Sequence, residues 1–115
     1  MLSPGGNYQY QLMQSAAVAT GNGTALTTTD AAGGGCTTLT MQVTGITTAT
    51  ITFEATVDGS NWIGVACTNL NDGVNSTQAT ANGIYRLTCL GLVSVRARIS
   101  AWTTGTITVT GVAVA

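Results

Sequence analysis

The chain has no histidine and no lysine, and its only cations are Arg86, Arg96 and Arg98. Its four acids are Asp30, Glu54, Asp58 and Asp72, so charged residues make up 6% of the sequence, against roughly a quarter in an ordinary soluble domain. Each shortage excludes something. Without histidine there is no Ser-His or Cys-His nucleophile system. Three arginines against four acids cannot build the positive field that holds a phosphate backbone, so no nucleic-acid partner is expected. With so few charged helix formers, neither a coiled coil nor a helical bundle is expected. No apolar run approaches the length of a membrane-spanning helix, and no membrane association is expected. Gln9, Gln11 and Gln14 interrupt the first twenty residues and a basic leader is missing there, so a secretory signal is not expected and synthesis in a reducing cytoplasm is. Cys36, Cys67 and Cys89 are odd in number and widely spaced, without a Cys-x-x-Cys. They read as buried thiols rather than as metal ligands or a disulfide framework.

What is abundant is threonine, with 23 residues, and glycine, with 15, in a chain of 115 that is 44% hydrophobic. The size fits one domain with a core of its own. The apolar residues alternate with polar ones at the period of a strand. Leu39, Met41 and Val43 alternate with threonine and glutamine. Ile51, Phe53, Ala55 and Val57 alternate with threonines and acids in a second run, Val93, Val95, Ala97, Ile99 and Ala101 with serines, arginines and Trp102 in a third, and Ile107 and Val109 with threonines in a fourth. Threonine suits the outer face, because β-branching favours extended backbone and the hydroxyl meets water. Asp58-Gly59-Ser60-Asn61 reads as a hairpin turn, Thr103-Thr104-Gly105 as a second, and Asn82-Gly83 as the opening of another strand. Weaker strands are expected near residues 8–18 and 24–28, and residues 69–82 read as a surface loop with a short edge piece. The expectation is an all-β antiparallel sandwich of seven to nine short strands, of jelly-roll or immunoglobulin-like type. It would occupy residues 10–115, behind an extended N-terminal arm at residues 1–9 that carries the only proline, Pro4, and could reach roughly 30 Å.

The candidates for chemistry are few. Glu54 and Asp58 lie about 13 Å apart along one strand face, too far for a glycosidase pair without help from the side chains. No catalytic residue, no cofactor and no metal is assigned, and the chain is not expected to be an enzyme. The oxygen-rich stretch at residues 69–75 has one carboxylate where a calcium loop has several, and reads as a loop held by Asx turns. Thr-x-Thr runs near the C-terminus are too short and interrupted for an ice-binding array. Arg96 and Arg98 share the outer face of one strand, with Glu54 as their natural partner, either in a cross-strand ion pair or at a contact between subunits. Trp62 reads as core. Trp102 falls on the outer face by parity, near a hairpin tip, where it could stack on a sugar or fill a partner's pocket. Tyr8 and Tyr10 alternate at the end of the arm and could pair with a neighbouring chain. The expected partner-facing residues are therefore Met1, Leu2, Ser3, Pro4, Tyr8, Tyr10, Arg96, Arg98 and Trp102.

The run Phe53-Glu54-Ala55-Thr56-Val57-Asp58-Gly59-Ser60-Asn61-Trp62 resembles an FE-x-S/T-x-DGxNW hairpin of small tailed-bacteriophage virion proteins. The likeness continues through Ala81-Asn82-Gly83-Ile84-Tyr85, Leu92-Val93-Ser94-Val95-Arg96-Ala97-Arg98 and Thr104-Gly105-Thr106-Ile107-Thr108-Val109-Thr110-Gly111. It covers roughly residues 50–115 and carries no enzyme signature. The resemblance implies a phage structural protein on the virion: a capsid decoration (cement) protein, or a module of a tail or fibre. As a decoration protein it would bind the outside of the assembled shell, with the major capsid protein and neighbouring copies of itself as partners and a trimer as the favoured oligomer. As a host-facing module it would bind a surface glycan.

Overall fold

A computed structural model describes residues 8–28 and 37–114. Among these residues the structure is all-β, with nine strands in one antiparallel sheet. In chain order they are β1 (Tyr8–Ala17), β2 (Leu26–Thr27), β3 (Thr38–Thr56), β4 (Ile63–Gly64), β5 (Cys67–Asn69), β6 (Asn75–Ser76), β7 (Gln78–Ala79), β8 (Gly83–Thr88) and β9 (Ser94–Val114). The arm residues Met1, Leu2, Ser3 and Pro4, the glycine-rich stretch at 31–35, Asp30 and Cys36 lie outside the described residues. Tyr8 and Gln9, read from sequence as the end of the arm, are the first residues of β1, paired with Val114 and Ala113 of β9. The alternating start of the chain thus pairs within its own fold.

β3 and β9 run the length of the molecule side by side, from Thr38↔Val114 to Thr56↔Ser94. One half of this pair is flanked by β1 and β8. The other half is flanked by β2 on the β9 side and by β4 and β7 on the β3 side. Odd-numbered residues of both long strands are buried on either side of an irregular middle stretch: Leu39, Met41 and Val43, then Ile51, Phe53 and Ala55 on β3, and Val95, Ala97 and Ile99, then Ile107, Val109 and Ala113 on β9; between them Gly45, Thr47, Ala101 and Thr103 are exposed. The buried residues form one cluster. Phe53, from one half, meets Tyr85 of β8, from the other, at a ring-centroid distance of 5.3 Å. Leu26, Leu39 and Met13 converge on Gly111. The sheet folds over so that the inner faces of its two halves share a core, which is the sandwich-like arrangement expected from the alternation.

The hairpin expected at Thr103-Thr104-Gly105 does not form. β9 continues through it, and the two runs around Met41 and Phe53 are likewise one strand. The turn residues serve instead as β-bulges. The ladder changes register between Thr44 and Ile51 of β3, and Gly45 (φ 84°) and Gly105 (φ 124°) lie in this stretch. A Cβ on Gly45 would stand 1.7 Å from the Thr106 carbonyl oxygen, and one on Gly105 would stand 2.6 Å from the Gly45 carbonyl oxygen. The two glycines therefore let two backbones cross closely where the paired strands are irregular. The Ile46 N–H donates to Asn82 Oδ1 at 2.8 Å, so the residue that opens β8 also satisfies the disturbed ladder. Cys67 and Cys89 are buried, as their apolar surroundings predict, and burial pushes the Cys67 thiol up to about 12.

Gly45→Ala and Gly105→Ala should each lower stability by about 2–4 kcal/mol, through steric overlap and a backbone conformation hostile to a side chain. Urea unfolding of the purified variants measures this. A loss below about 0.5 kcal/mol would show that the crossing is loose.

Candidate functional site

The sequence offers three places to look, and the fold sets them apart. The first is the outer face of the β3–β9 pair near Glu54. Glu54 and Arg96 are directly cross-strand partners, and Thr52 faces Arg98. The Glu54 carboxylate accepts from Arg96 Nε at 2.8 Å and from Arg98 Nε and Nη2 at 3.1 Å each. A further ion-pair contact runs from Arg96 Nη2 to Glu54 Oε1 at 2.8 Å. The Arg96 guanidinium also lies 4.2 Å from the ring centre of Trp62. Trp62, expected in the core, is half-buried over this cation. The residue after a hairpin turn here packs on the outer face, which a strand pattern alone does not reveal. Burial by itself pushes the Glu54 carboxyl up; the hydrogen bonds and charges of Arg98 and Arg96 outweigh it and hold the group below its ordinary value. The cluster unites three of the chain's seven charges and leaves Glu54 9% exposed, so this carboxylate is a structural anchor.

The turn beside it is equally committed. Asp58 Oδ1 accepts from the N–H groups of Ser60 and Asn61 at 2.8 Å and from the Thr56 hydroxyl at 3.0 Å, and Oδ2 accepts from Asn61 Nδ2 at 2.7 Å. The Asn61 and Ser60 donors hold its carboxyl well below the usual carboxylate range. The hairpin expected at this turn is present, with Glu54↔Gly64 and Ala55↔Ile63 as its pairs. In the loop after β5, Asn69 Oδ1 accepts from the Asn71 N–H and Asp72 Oδ1 from the Val74 N–H, both at 2.9 Å. These are the Asx turns read from the sequence.

The second place surrounds Trp102. No hairpin tip exists there, and the irregular ladder turns the indole so that it packs against the edge of the core. Its Nε1–H donates to the Gly105 carbonyl at 3.0 Å. The ring lines an open cleft of about 320 Å³ together with threonines of β3 and β9 and Thr80. The third place is the outward face of the β1–β9–β3–β8 half. Tyr10 is paired with Val112, Val112 with Thr40, and Thr40 with Arg86, so these four share one row. Leu12 and Ile84 lie in the next row, with Thr110 and Gln42 between them. Of the expected partner-facing residues, Arg96 and Arg98 come together, while Trp102 and Tyr10 lie on other parts of the surface.

Both lowered carboxyls stabilise the fold when ionised. Their contribution is complete above their ordinary values (4.5 for Glu54 and 3.8 for Asp58) and is lost as pH falls from there through the folded-state values. Stability should therefore hold from neutral pH to about pH 5 and fall in acid. Glu54→Gln should cost about 1–2 kcal/mol at pH 7 by leaving two arginines facing a neutral amide, and should lose less than the parent between pH 5 and 3. Urea midpoints across that range check both statements.

The comparisons with known proteins agree with this architecture. The YomS protein derived from the SPBc2 prophage superposes with a TM-score of 0.84 over 95% of this chain and 94% of its own, at 21% identity. The exported protein XepA of PBSX superposes with a TM-score of 0.85 over 96% of this chain but 39% of its own, at 17% identity. The chain thus spans about two fifths of the length of that XepA and nearly all of YomS. At these identities the likeness establishes the fold. No curated protein sequence matches the chain. The sequence profile of the XepA family matches residues 8–113, nearly the whole chain, and the protein is therefore a member of the XepA family.

Proposed function

We propose that this protein is a non-catalytic attachment part of a phage particle, a decoration protein that binds the outside of the assembled capsid and stabilises it through non-covalent contacts. The observation that carries this reading is the outward face of the β1–β9–β3–β8 half. Tyr10 is 48% exposed, Val114 46%, Ile84 43% and Leu12 38%, and Arg86 is the one charged side chain in these rows among the described residues. A threonine-rich face with one charge can be buried with few charges to desolvate. Repetition over a lattice makes modest contacts sufficient. The three acids among the described residues support a role without chemistry: Glu54 is locked between arginines, Asp58 is consumed by its turn, and Asp72 accepts from its own loop. The partners on this reading are the major capsid protein and further copies of the chain, and the location is the capsid surface.

A second reading, a host-facing tail or fibre module, is favoured by one finding. The longer relative that contains a body of this fold is described as an exported protein. Copy number separates the two. Quantitative mass spectrometry of purified particles should give hundreds of copies, near-stoichiometric with the capsid protein; a few copies would move the assignment to the tail, and none would place the protein off the particle. On the first reading, Tyr10→Ser combined with Leu12→Ser should leave stability within about 1 kcal/mol, since both side chains are exposed, and reduce binding to particles stripped of the protein by about tenfold. Unchanged occupancy would remove this face from the attachment surface.

A further inference from the structure

We infer that the cleft beside Trp102 is a binding site for a neutral saccharide. The inference deepens the host-facing reading, on which its biological use rests, while the chemistry of the site stands on its own geometry. Thr47, Thr48, Thr50, Thr80 and Thr103 line the cleft with Trp102. Their hydroxyls make no hydrogen bond among the described residues. Some other threonines of the sheet are committed. Thr44 donates to the Thr108 carbonyl, Thr52 shares a hydrogen bond with Ser100 at 2.7 Å, and Thr40 accepts from Arg86. Five hydroxyls without a partner among the described residues thus surround one aromatic ring where the ladder is irregular.

Trp102 is prepared for such a role. Its N–H is engaged by the Gly105 carbonyl and its ring rests against the core, so the indole is held in place without a ligand. A pre-set ring loses little freedom on binding. The C–H faces of a pyranose carry partial positive charge and pack on the negative face of an indole, while the sugar hydroxyls both donate and accept. Threonine hydroxyls can do both in return. No charged side chain lines the cleft, which matches a neutral sugar and offers nothing to a phosphate or a carboxylate. A volume of about 320 Å³, open to solvent, fits one or two sugar rings of a longer chain.

The test is an amide chemical-shift titration of the full chain with maltohexaose, cellohexaose and chitohexaose. At least one should bind with a Kd of about 1 mM or tighter, shifting resonances of residues 47–50, 80 and 101–103. Trp102→Ala should weaken that binding at least tenfold. Because the indole also supports the core, the paired variant Thr48→Val with Thr103→Val is the second probe, expected to keep the fold and weaken binding about threefold. The inference is overturned if none of the three sugars shifts these resonances at about 10 mM. It is also overturned if the shifts lie elsewhere, or if binding survives the threonine pair unchanged. A tail location with no sugar binding would sink the site and leave the host-facing reading standing. Sugar binding by a chain found at hundreds of copies over the shell would do the reverse.

Discussion

The structure depends on keeping one side of two very long strands buried across a stretch where their pairing is irregular. Side chains in a strand alternate between faces, so a slip of one residue would send a whole hydrophobic set into water. Between the pairs Val43↔Val109 and Ile51↔Ile99, β3 advances eight residues and β9 ten. The difference is two, and two preserves parity. Leu39, Met41 and Val43 face the same core as Ile51, Phe53 and Ala55, and the partners on β9 match them at both ends. One extra residue would have exposed half the core; two bend the sheet and leave its inside intact. Gly45 and Gly105 allow the two backbones to approach at this point. The same irregularity splays the strands enough to place Trp102 and a group of free hydroxyls around a cleft.

Charge is scarce, and its placement follows from that scarcity. A lone carboxylate at 9% exposure would be costly, and Glu54 is held by two guanidinium groups, one of which also meets an indole. The ion pairs link β3 to β9 across the half of the sheet flanked by the short strands β2, β4 and β7. Gathering three charges here leaves Arg86 as the one charge on the opposite half's outward rows. The fold thus has a polar, internally satisfied end and a face that water holds weakly.

Much of this was legible in the residues. The period-two runs found most of the buried apolar positions of β3 and β9, because the pattern reports the solvent boundary directly; Ala49 and Ala113 lay outside those runs, and Val57 and Ala101, which end two of them, are exposed. Asp58-Gly59-Ser60-Asn61 announced its turn because a short carboxylate beside a glycine satisfies its own backbone. Arg96 and Arg98 pointed to Glu54 because parity put all three on one face. Thr103-Thr104-Gly105 misled for a physical reason. A glycine in a turn and a glycine in a bulge both need the left-handed region or a close approach, and the local sequence is the same for both. Only Gly45, about sixty positions away and facing it across the ladder, distinguishes them. Trp62 was misplaced for the same kind of reason, since the cation it covers comes from a strand more than thirty residues later.

Threonine links these observations to function. On a two-sided fold it is the residue that supports extended backbone while leaving a hydroxyl free for use. Where the ladder is regular, Thr40, Thr44 and Thr52 spend theirs on neighbouring groups within the sheet. Around the paired bulges the hydroxyls of Thr47, Thr48, Thr50, Thr80 and Thr103 have no partner among the described residues. Water can satisfy them at an exposed site, so the hydroxyls alone would mean little. The fixed indole changes the balance, because it supplies the apolar surface on which a ligand with many hydroxyls can displace that water at a net gain. An outward face with few charges answers a different need, contact with a large flat partner. The two surfaces have different chemistry and lie on different parts of the sheet, so the attachment proposed for one and the saccharide binding inferred for the other would not compete.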